Sequence, residues 1–198
     1  MDERVIQALI KWPQVPECRG WLAIDARGQW RMRNEYAQEH HLAGDIIHQR
    51  HLIEYIERNR CYDWATQEWF FQNGPQKVYL SISYTPFVAR LFNQTLTSTC
   101  GNPLEPIECY MDEEGHIIFQ CESLIQVAKA GDFLKEKHRF WAKLHDADLE
   151  EFSRIAEINT SCGLLGEVQL KNKKIAIEQT RMTDIKAQPG LLPSSRNS

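Results

Sequence analysis

The sequence predicts an α+β fold, in which an antiparallel or mixed sheet of hairpins packs with about three to four helices. Segments rich in aromatic and β-branched residues follow one another and do not alternate with helical segments, which argues against an α/β fold. A turn of the form Asp-x-x-Gly joins two such segments at residues 25–28 and again at 112–115. This recurrence suggests a duplicated motif.

The length and the composition favour one folded domain. A chain of 198 residues, of which 42% are hydrophobic and 25% charged, is ordinary for a soluble globular protein. We expect a single α+β domain at 1–185, with two halves at about 12–92 and 93–185 as the alternative division. Residues 186–198 are rich in Pro, Gly and Ser, and we expect a flexible tail there.

The first third of the chain predicts two helices and a hairpin. Residues 1–10 place apolar side chains on one side of a short helix, and the prolines that follow end it. Residues 20–33 predict a hairpin, because Asp and Gly hold the turn positions that a type I turn prefers. The polar stretch 34–44 is expected to be irregular, with a helix at about 45–60 and a loop at 61–68.

The most distinctive stretch is WFFQNGPQ, at residues 69–76. It predicts a second hairpin, because the aromatic segment ends on Asn73-Gly74, which tolerates the positive φ of a tight turn. Pro75 then fits only where no ladder donor is needed. Turn chemistry does not explain the two flanking glutamines, Gln72 and Gln76.

The elements after this hairpin are predicted from their apolar patterns. Residues 84–92 favour a short helix or bend, since Pro86 suits a first helical position. Strands are expected at about 95–100, 106–111 and 116–121.

Two helices and a last hairpin complete the prediction. Residues 131–144 have aromatic and leucine side chains at helical spacing. Asp148 is expected to cap a further helix, with Glu151 as its capping-box partner. Strict alternation at 166–179 predicts a hairpin.

Charge, hydropathy and cysteine usage narrow the function classes. A net charge of −4 without a basic face is not typical of a nucleic-acid binder. No apolar run approaches the roughly 20 residues of a membrane helix, so we expect no membrane partner and a cytoplasmic protein. The chain has six cysteines and no C-x-x-C pair, so reduced thiols are expected. Phosphate-binding glycine motifs are absent from the sequence, and we predict no cofactor.

The aromatic hairpin is the first candidate site. One interpretation is an ordinary core, because large aromatic residues are mostly buried. The other is a small-molecule pocket, which combines apolar walls with a few placed polar groups. In that case the ligand-binding residues would be Trp69, Phe71, Gln72, Asn73, Gln76 and Arg90.

The histidine-rich segment is the second candidate site. His48 and His51 would share a helix face, and Asp45 is near them in sequence, so the three could bind a metal ion. The alternative is an exposed polar insertion. No recognised ligand spacing decides between the two. No cysteine signature or Gly-x-Ser-x-Gly elbow identifies a nucleophile, and we predict no catalytic residues.

Three segments resemble a known family. These are VPECRGWLAIDARGQWRMR, WFFQNGPQKVYLSISYTPFVARL and GNPLEPIECYMDEEGHIIF, with a weaker echo at LHDADLEEF. They are similar to an uncharacterised family of small proteobacterial proteins, a domain of unknown function, over roughly residues 12–125, and the WFFQNGPQ block is the most specific part. PFVA and the order of elements also resemble a second bacterial family of unknown function. That likeness implies repeated α+β motifs and a ligand-binding or signalling role.

Three functional hypotheses remain open at this stage. The first is a non-enzymatic protein that binds a small molecule or a partner and could form a homodimer. The second is a metal-dependent hydrolase that uses the histidine-rich segment with Asp45. The third is a structural or interaction protein whose aromatic face packs against a partner. The sequence names neither the ligand nor the reaction.

Overall fold

The computed structural model describes residues 1–159, 164–171 and 173–186. Cys162 and the expected tail from residue 187 onward lie outside the described residues. The described chain is mainly sheet, with a smaller share of helix and with both parallel and antiparallel strand pairs. This confirms α+β as the coarse class, with a mixed sheet.

The chain folds into two compact units. Unit 1 comprises Met1–Ser83 and Leu124–Glu136, and unit 2 comprises Tyr84–Ser123 and the chain from Lys137 onward. The expected division into one domain at 1–185, or into halves at 12–92 and 93–185, remains a prediction.

Unit 1 combines short helices with a run of paired strands. The helices are α1 (Glu3–Lys11), α2 (Glu35–Glu39) and α3 (Arg50–Arg58). The strands are β1 (Cys18–Ile24), β2 (Trp30–Met32), β3 (Asp45–Ile46), β4 (Arg60–Asp63), β5 (Glu68–Asn73) and β6 (Gln76–Ile82). Their order is β3-β2-β1-β6-β5-β4, and only the β1–β6 pair among these described strands is parallel.

The core of unit 1 lies on both faces of β5. Phe71 packs with Trp30 and Ile56, so one face is covered by α3 and by the first hairpin. Phe70 points to the opposite face, as strand alternation requires, and packs there with Cys61 and Tyr79. A strand that is buried on both faces has a continuous apolar sequence, which explains the aromatic run.

Unit 2 is built from the remaining elements. Its strands are β7 (Phe87–Phe92), β8 (Thr95–Ser98), β9 (Glu105–Met111), β12 (Ala156–Ile158), β13 (Leu164–Leu170) and β14 (Lys173–Gln179). Two longer strands, β10 (Ile117–Lys129) and β11 (Asp132–Leu144), have residues in each unit. The helices are α4 (Leu149–Ile155), which follows a 3-10 turn at Asp146–Asp148, and α5 (Met182–Lys186).

The strand order of unit 2 brings two distant turns together. The order is β12-β13-β14-β9-β10-β11-β7-β8, with parallel β14–β9 and β11–β7 pairs. The β7–β8 turn contains Asn93 and Gln94, which have φ values of 47° and 59°. The backbone N–H of Lys171, in the β13–β14 turn, donates to the Gln94 carbonyl at 3.0 Å. The two hairpin ends are therefore tied to each other.

Two helix predictions are wrong because the segments are strands. Residues 84–92 contain β7, and Pro86 lies just before that strand, where no ladder donor is needed. Residues 131–144 contain β11, in which Phe140 to Leu144 are all buried. A strand covered on both faces loses its alternation, and its apolar residues then also fit helical spacing.

Three further predictions differ in their boundaries. The expected helix at 45–60 is α3 alone, and β3 occupies its first residues. The irregular stretch 34–44 contains the short helix α2, which Asn34 caps by accepting from the backbone N–H of Ala37. The expected loop at 61–68 begins as β4.

The hairpin predictions are confirmed. The backbone N–H of Gly28 donates to the Asp25 carbonyl at 2.9 Å, and that of Gly115 donates to the Asp112 carbonyl at 3.1 Å. In the WFFQNGPQ hairpin, Asn73 pairs with Gln76 across the turn. The hairpin at 166–179 is β13–β14.

Candidate functional site

The aromatic residues of the WFFQNGPQ hairpin are in the core of unit 1. Trp69 and Phe71 are 3% and 6% exposed, and the Gln72 side chain is fully buried. Asn73 is exposed at the turn and Gln76 is half-buried. The pocket interpretation requires Gln72 to present its amide to a concave, ring-lined surface. The structure instead buries this amide.

The two glutamines stabilise the hairpin locally. The Gln72 side chain donates from Nε2 to the Gly74 carbonyl at 3.0 Å, across the turn. Its Oε1 is buried, and no donor among the described residues reaches it. Gln76 donates from Nε2 to the Pro16 carbonyl at 3.1 Å. Both glutamine side chains therefore bind backbone carbonyl groups next to the hairpin, which explains their presence without a ligand.

Arg90 lies in unit 2 and is held by an ion pair. Its guanidinium donates from Nε and Nη2 to the two carboxylate oxygens of Asp148, at 2.7 and 2.9 Å. The same carboxylate accepts from the backbone N–H of Leu91 at 2.9 Å. Burial acts to raise the pKa of Asp148, but these hydrogen bonds outweigh it and lower the pKa. Asp148 holds the N-cap position of α4, as expected, but its side chain makes no capping bond there.

The histidine-rich segment does not form a ligand cluster in the described residues. His48 and Asp45 are exposed, and the His51 side chain is completely exposed and lies 3.7 Å from a Glu54 oxygen. Across residues 1–159, 164–171 and 173–186, no group of three or more His, Cys, Asp or Glu side chains is arranged to hold a metal ion. Metal binding by His48, His51 and Asp45 remains a prediction without geometric support.

A cleft in unit 2 is a better candidate for a binding site. Its volume is about 610 Å³, within the roughly 300–1,000 Å³ of small-molecule sites. Five segments of the chain contribute to it: the β7–β8 turn with the start of β8, the 103–106 segment, part of β10, part of β11, and the β13–β14 turn with its flanking residues. The lining residues are Gln94, Thr95, Leu96, Pro103, Leu104, Glu105, Pro106, Glu122, Ser123, Lys137, Leu170, Lys171 and Lys173.

The cleft has apolar and charged parts. Leu96, Leu104 and Leu170 are 1%, 6% and 3% exposed, so they form an apolar floor that belongs to the core. The backbone N–H of Leu104 donates to the Leu96 carbonyl at 3.0 Å, which fixes two floor residues relative to each other. Charged side chains, by contrast, stand at the rim, where water reaches them. This combination suits an amphipathic ligand.

The rim carboxylates are already paired. Lys137 Nζ lies 2.6 Å from Glu122 Oε2 and 3.3 Å from Glu105 Oε2. Hydrogen bonds to Glu122 and then to Glu105 raise the pKa of Lys137, so this lysine keeps its charge at neutral pH. The Arg139 guanidinium is a second cation near Glu122, with its Nε 3.8 Å from Glu122 Oε1.

A second polar cluster in unit 2 is built on the turn at Asp112. Its Oδ1 accepts from the backbone N–H groups of Glu114 and His116, at 3.0 and 2.8 Å. Its Oδ2 accepts from the Tyr84 hydroxyl at 2.7 Å and lies 2.9 Å from His116 Nδ1. Burial, then the bond to Asp112, raises the pKa of Tyr84. Burial opposes ionisation of Asp112 too, but the bonds from Tyr84 and His116 lower its pKa.

Asp63 is the corresponding buried carboxylate of unit 1. Its Oδ2 accepts from Lys77 Nζ at 2.6 Å and from the Tyr79 hydroxyl at 2.9 Å. Burial acts to raise the pKa of Asp63, and the bonds from Lys77 and Tyr79 outweigh it and lower the pKa. The Arg19 guanidinium lies 3.8 Å from the centroid of the Tyr79 ring. This network joins strands β4 and β6 across β5.

Three cysteines, here called the buried thiols, are fully buried: Cys61, Cys109 and Cys121. Burial raises the pKa of each of them, to about 12 for Cys61. A nucleophilic cysteine needs a lowered pKa, so this environment is that of a structural thiol. Cys100, by contrast, is exposed.

Comparisons with known proteins identify a family. A family model described as "Protein of unknown function (DUF2946)" matches residues 1–195. The crystal structure of a DUF1285 family protein from Silicibacter pomeroyi DSS-3 is similar, with 10% sequence identity, 86% of each chain covered and a TM-score of 0.40. No curated protein matches the chain. In the part of the chain that the structure describes, no helix is long and apolar enough to span a membrane.

Proposed function

The chain belongs to the family described as protein of unknown function (DUF2946), as the resemblance to an uncharacterised family implied, and we propose that it is a non-enzymatic protein that binds a small molecule. The proposed site is the cleft of unit 2. One observation carries the proposal: about 610 Å³ of space above an apolar floor of buried leucines, with charged groups at its rim. Small-molecule sites have this size and this composition.

The chemistry of the lining supports binding over catalysis. The described lining residues include neither histidine nor cysteine, which are the commonest general base and the strongest nucleophile. The carboxylates of Glu105 and Glu122 are engaged by Lys137. The Asp112 carboxylate accepts hydrogen bonds from two backbone N–H groups of its own turn and from the Tyr84 hydroxyl, and it also contacts the His116 ring. These groups hold structure together in the described residues.

Filling the cleft tests the proposal. Thr95 is exposed at the start of β8 and lines the cleft, so Thr95→Trp should occupy its space. Thr99 is an exposed threonine of the same unit that is not among the lining residues, and Thr99→Trp is the matched control. A thermal-shift screen against a metabolite panel supplies the readout, since a ligand at a hundredfold excess over Kd stabilises by about 2.7 kcal/mol.

The expected result is a ligand that stabilises the wild type and Thr99→Trp and fails to stabilise Thr95→Trp. Equal stabilisation of both variants would place the ligand elsewhere. No stabilisation of the wild type by any panel member would count against a small-molecule role. A partner-binding role, a homodimer and a cytoplasmic location remain predictions, of which size-exclusion chromatography with light scattering tests the second.

A further inference from the structure

We propose that the cleft of unit 2 selects amphiphilic organic anions, which place an apolar chain on the leucine floor and a carboxylate or phosphate head beside Lys171 and Lys173. The inference rests on the proposed function and adds the class of the ligand. It follows from how the charges of the rim are paired.

The first step concerns the negative charges of the rim. The carboxylates among the lining residues are Glu105 and Glu122, and both lie against Lys137. Glu122 also has Arg139 at 3.8 Å. A cationic ligand would have to compete with these cations for the carboxylates, so the rim does not favour one.

The second step concerns the remaining positive charges. Lys171 and Lys173 are exposed at the β13–β14 turn, and neither ammonium group has a carboxylate partner among the described residues. Their neighbour Lys174 differs, because it is paired with Glu167 on the adjacent strand. Successive side chains of a strand point to opposite faces, so Lys173 faces the cleft and Lys174 faces away. Of the three lysines of this hairpin, the two that line the cleft are therefore the two without a carboxylate partner among the described residues.

The third step concerns preorganisation. The backbone N–H of Lys171 is bonded to the Gln94 carbonyl, so the turn that carries the lysines is tied to the opposite wall. The adjacent Leu170 belongs to the buried floor. A ligand head and its apolar chain can therefore be contacted by two neighbouring residues, Lys171 and Leu170, whose positions are fixed by that bond and by the core. Holding binding groups in place before the ligand arrives reduces the entropic cost of binding.

The test uses four probes that share an eight-carbon chain and differ in their heads. Octanoate and octyl phosphate are the anions, 1-octanol is the neutral probe and octylamine is the cation, each kept below its micellar concentration. Isothermal titration calorimetry measures Kd for the wild type, for Lys171→Met/Lys173→Met and for Lys174→Met. Methionine keeps an unbranched stem of similar length, and Lys174→Met controls for a loss of positive charge at the same turn.

We expect at least one anion to bind the wild type about tenfold or more tightly than 1-octanol, since hydrogen bonds to charged groups are the stronger class. The double variant should lose this preference while it keeps its affinity for 1-octanol, and Lys174→Met should behave as the wild type. Comparison of octanoate with octyl phosphate then separates a carboxylate ligand from a phosphate ligand.

Four results would overturn the inference. They are equal affinity for all four heads, tighter binding of octylamine, an equal loss of anion binding in Lys174→Met, and no binding of any probe. Binding of 1-octanol that Thr95→Trp abolishes would, in the first case, still support a small-molecule site in the cleft. If no probe binds, the anion class is wrong, and the metabolite panel with Thr95→Trp decides separately whether the proposed function fails.

Discussion

Replacing Asp112 by alanine should lower the free energy of unfolding by about 2.5–4 kcal/mol, whereas Asp25→Ala should lower it by about 1–2 kcal/mol. The two aspartates occupy the same position in the two Asp-x-x-Gly turns. Asp25 Oδ1 accepts from the backbone N–H groups of Arg27 and Gln29, both at 2.9 Å, just as Asp112 Oδ1 accepts from two backbone N–H groups. The two backbone hydrogen bonds to Oδ1 should therefore stabilise each turn by the same amount, about 1 kcal/mol by analogy with helix caps.

The difference comes from the second carboxylate oxygen. Asp25 Oδ2 accepts from Arg31 Nε at 2.8 Å, in a pair whose side chains are 19% and 21% exposed. Such a pair near solvent contributes about 0.2–1 kcal/mol. Asp112 has a fully buried side chain, and its Oδ2 accepts from Tyr84 and contacts His116. Removing it leaves a buried hydroxyl without its charged acceptor, which costs about 1.5–3 kcal/mol.

Urea unfolding at pH 7, followed by tryptophan fluorescence, measures both losses. A double-mutant cycle of Asp112→Ala with Tyr84→Phe should give a coupling energy of about 1 kcal/mol or more, because the two side chains share one bond. Equal losses of unfolding free energy in the two alanine variants, or additive effects in the cycle, would refute the claim that Tyr84 and His116 add stability beyond that of the turn itself.

Three further outcomes are expected. The folded-state pKa values of Asp63 and Asp148 lie below their unfolded values, so the stability that these carboxylates contribute is complete above about pH 4 and is lost as the pH falls through the folded pKa. The urea concentration at the unfolding midpoint, measured at a series of acidic pH values, should therefore fall with the pH. The Asp63→Asn variant should show a smaller fall than the wild type. Gln72→Met should change the free energy of unfolding by less than about 1 kcal/mol, because it removes one hydrogen bond together with a buried unsatisfied oxygen, and a loss above about 3 kcal/mol would contradict this account. Iodoacetamide should modify Cys100 in the native protein and the buried thiols only after unfolding, as peptide mass spectrometry can determine.

The local chemistry of turns could be predicted from adjacent residues. Asp25-x-x-Gly28, Asp112-x-x-Gly115 and Asn73-Gly74 each form the turn that their residue types prefer. The information needed for a turn lies within four residues, so the sequence contains all of it. What adjacent residues do not contain is the partner of the second aspartate oxygen, which is Arg31 in one turn and Tyr84 with His116 in the other.

Segments that are covered on both faces were the hardest to assign. The buried run from Phe140 to Leu144 has no alternation, because β10 and β7 pair with β11 and the sheet is covered on both sides. A strand of this kind and a buried helix have the same apolar composition, and only length and flanking residues distinguish them. The WFFQ run can be assigned as a strand and not as a helix, because Asn73-Gly74 predicts a hairpin turn directly after it.

The burial of Gln72 shows why the aromatic block was an ambiguous signal for a site. An aromatic run with flanking amides is equally consistent with a pocket wall and with a central strand whose amide closes its own turn. The neighbours of β5 decide between these two alternatives. Phe71 is covered by α3, and Phe70 is buried on the opposite face of the sheet with Cys61 and Tyr79. Neither cover can be located from the residues of the hairpin itself.

The cleft of unit 2 could not be predicted from any local pattern, because its walls are brought together by strand order. Residues 94–96 meet residues 170, 171 and 173 only because β14 pairs with β9, β9 with β10, and β10 with β11, which pairs with β7. One local signal was nevertheless present. Lys173 and Lys174 are consecutive at the start of a strand with alternating apolar residues, which places their side chains on opposite faces. Once a structure shows which face borders the cleft, this spacing determines which of the two ammonium groups a ligand can meet, and the methionine variants measure that assignment directly.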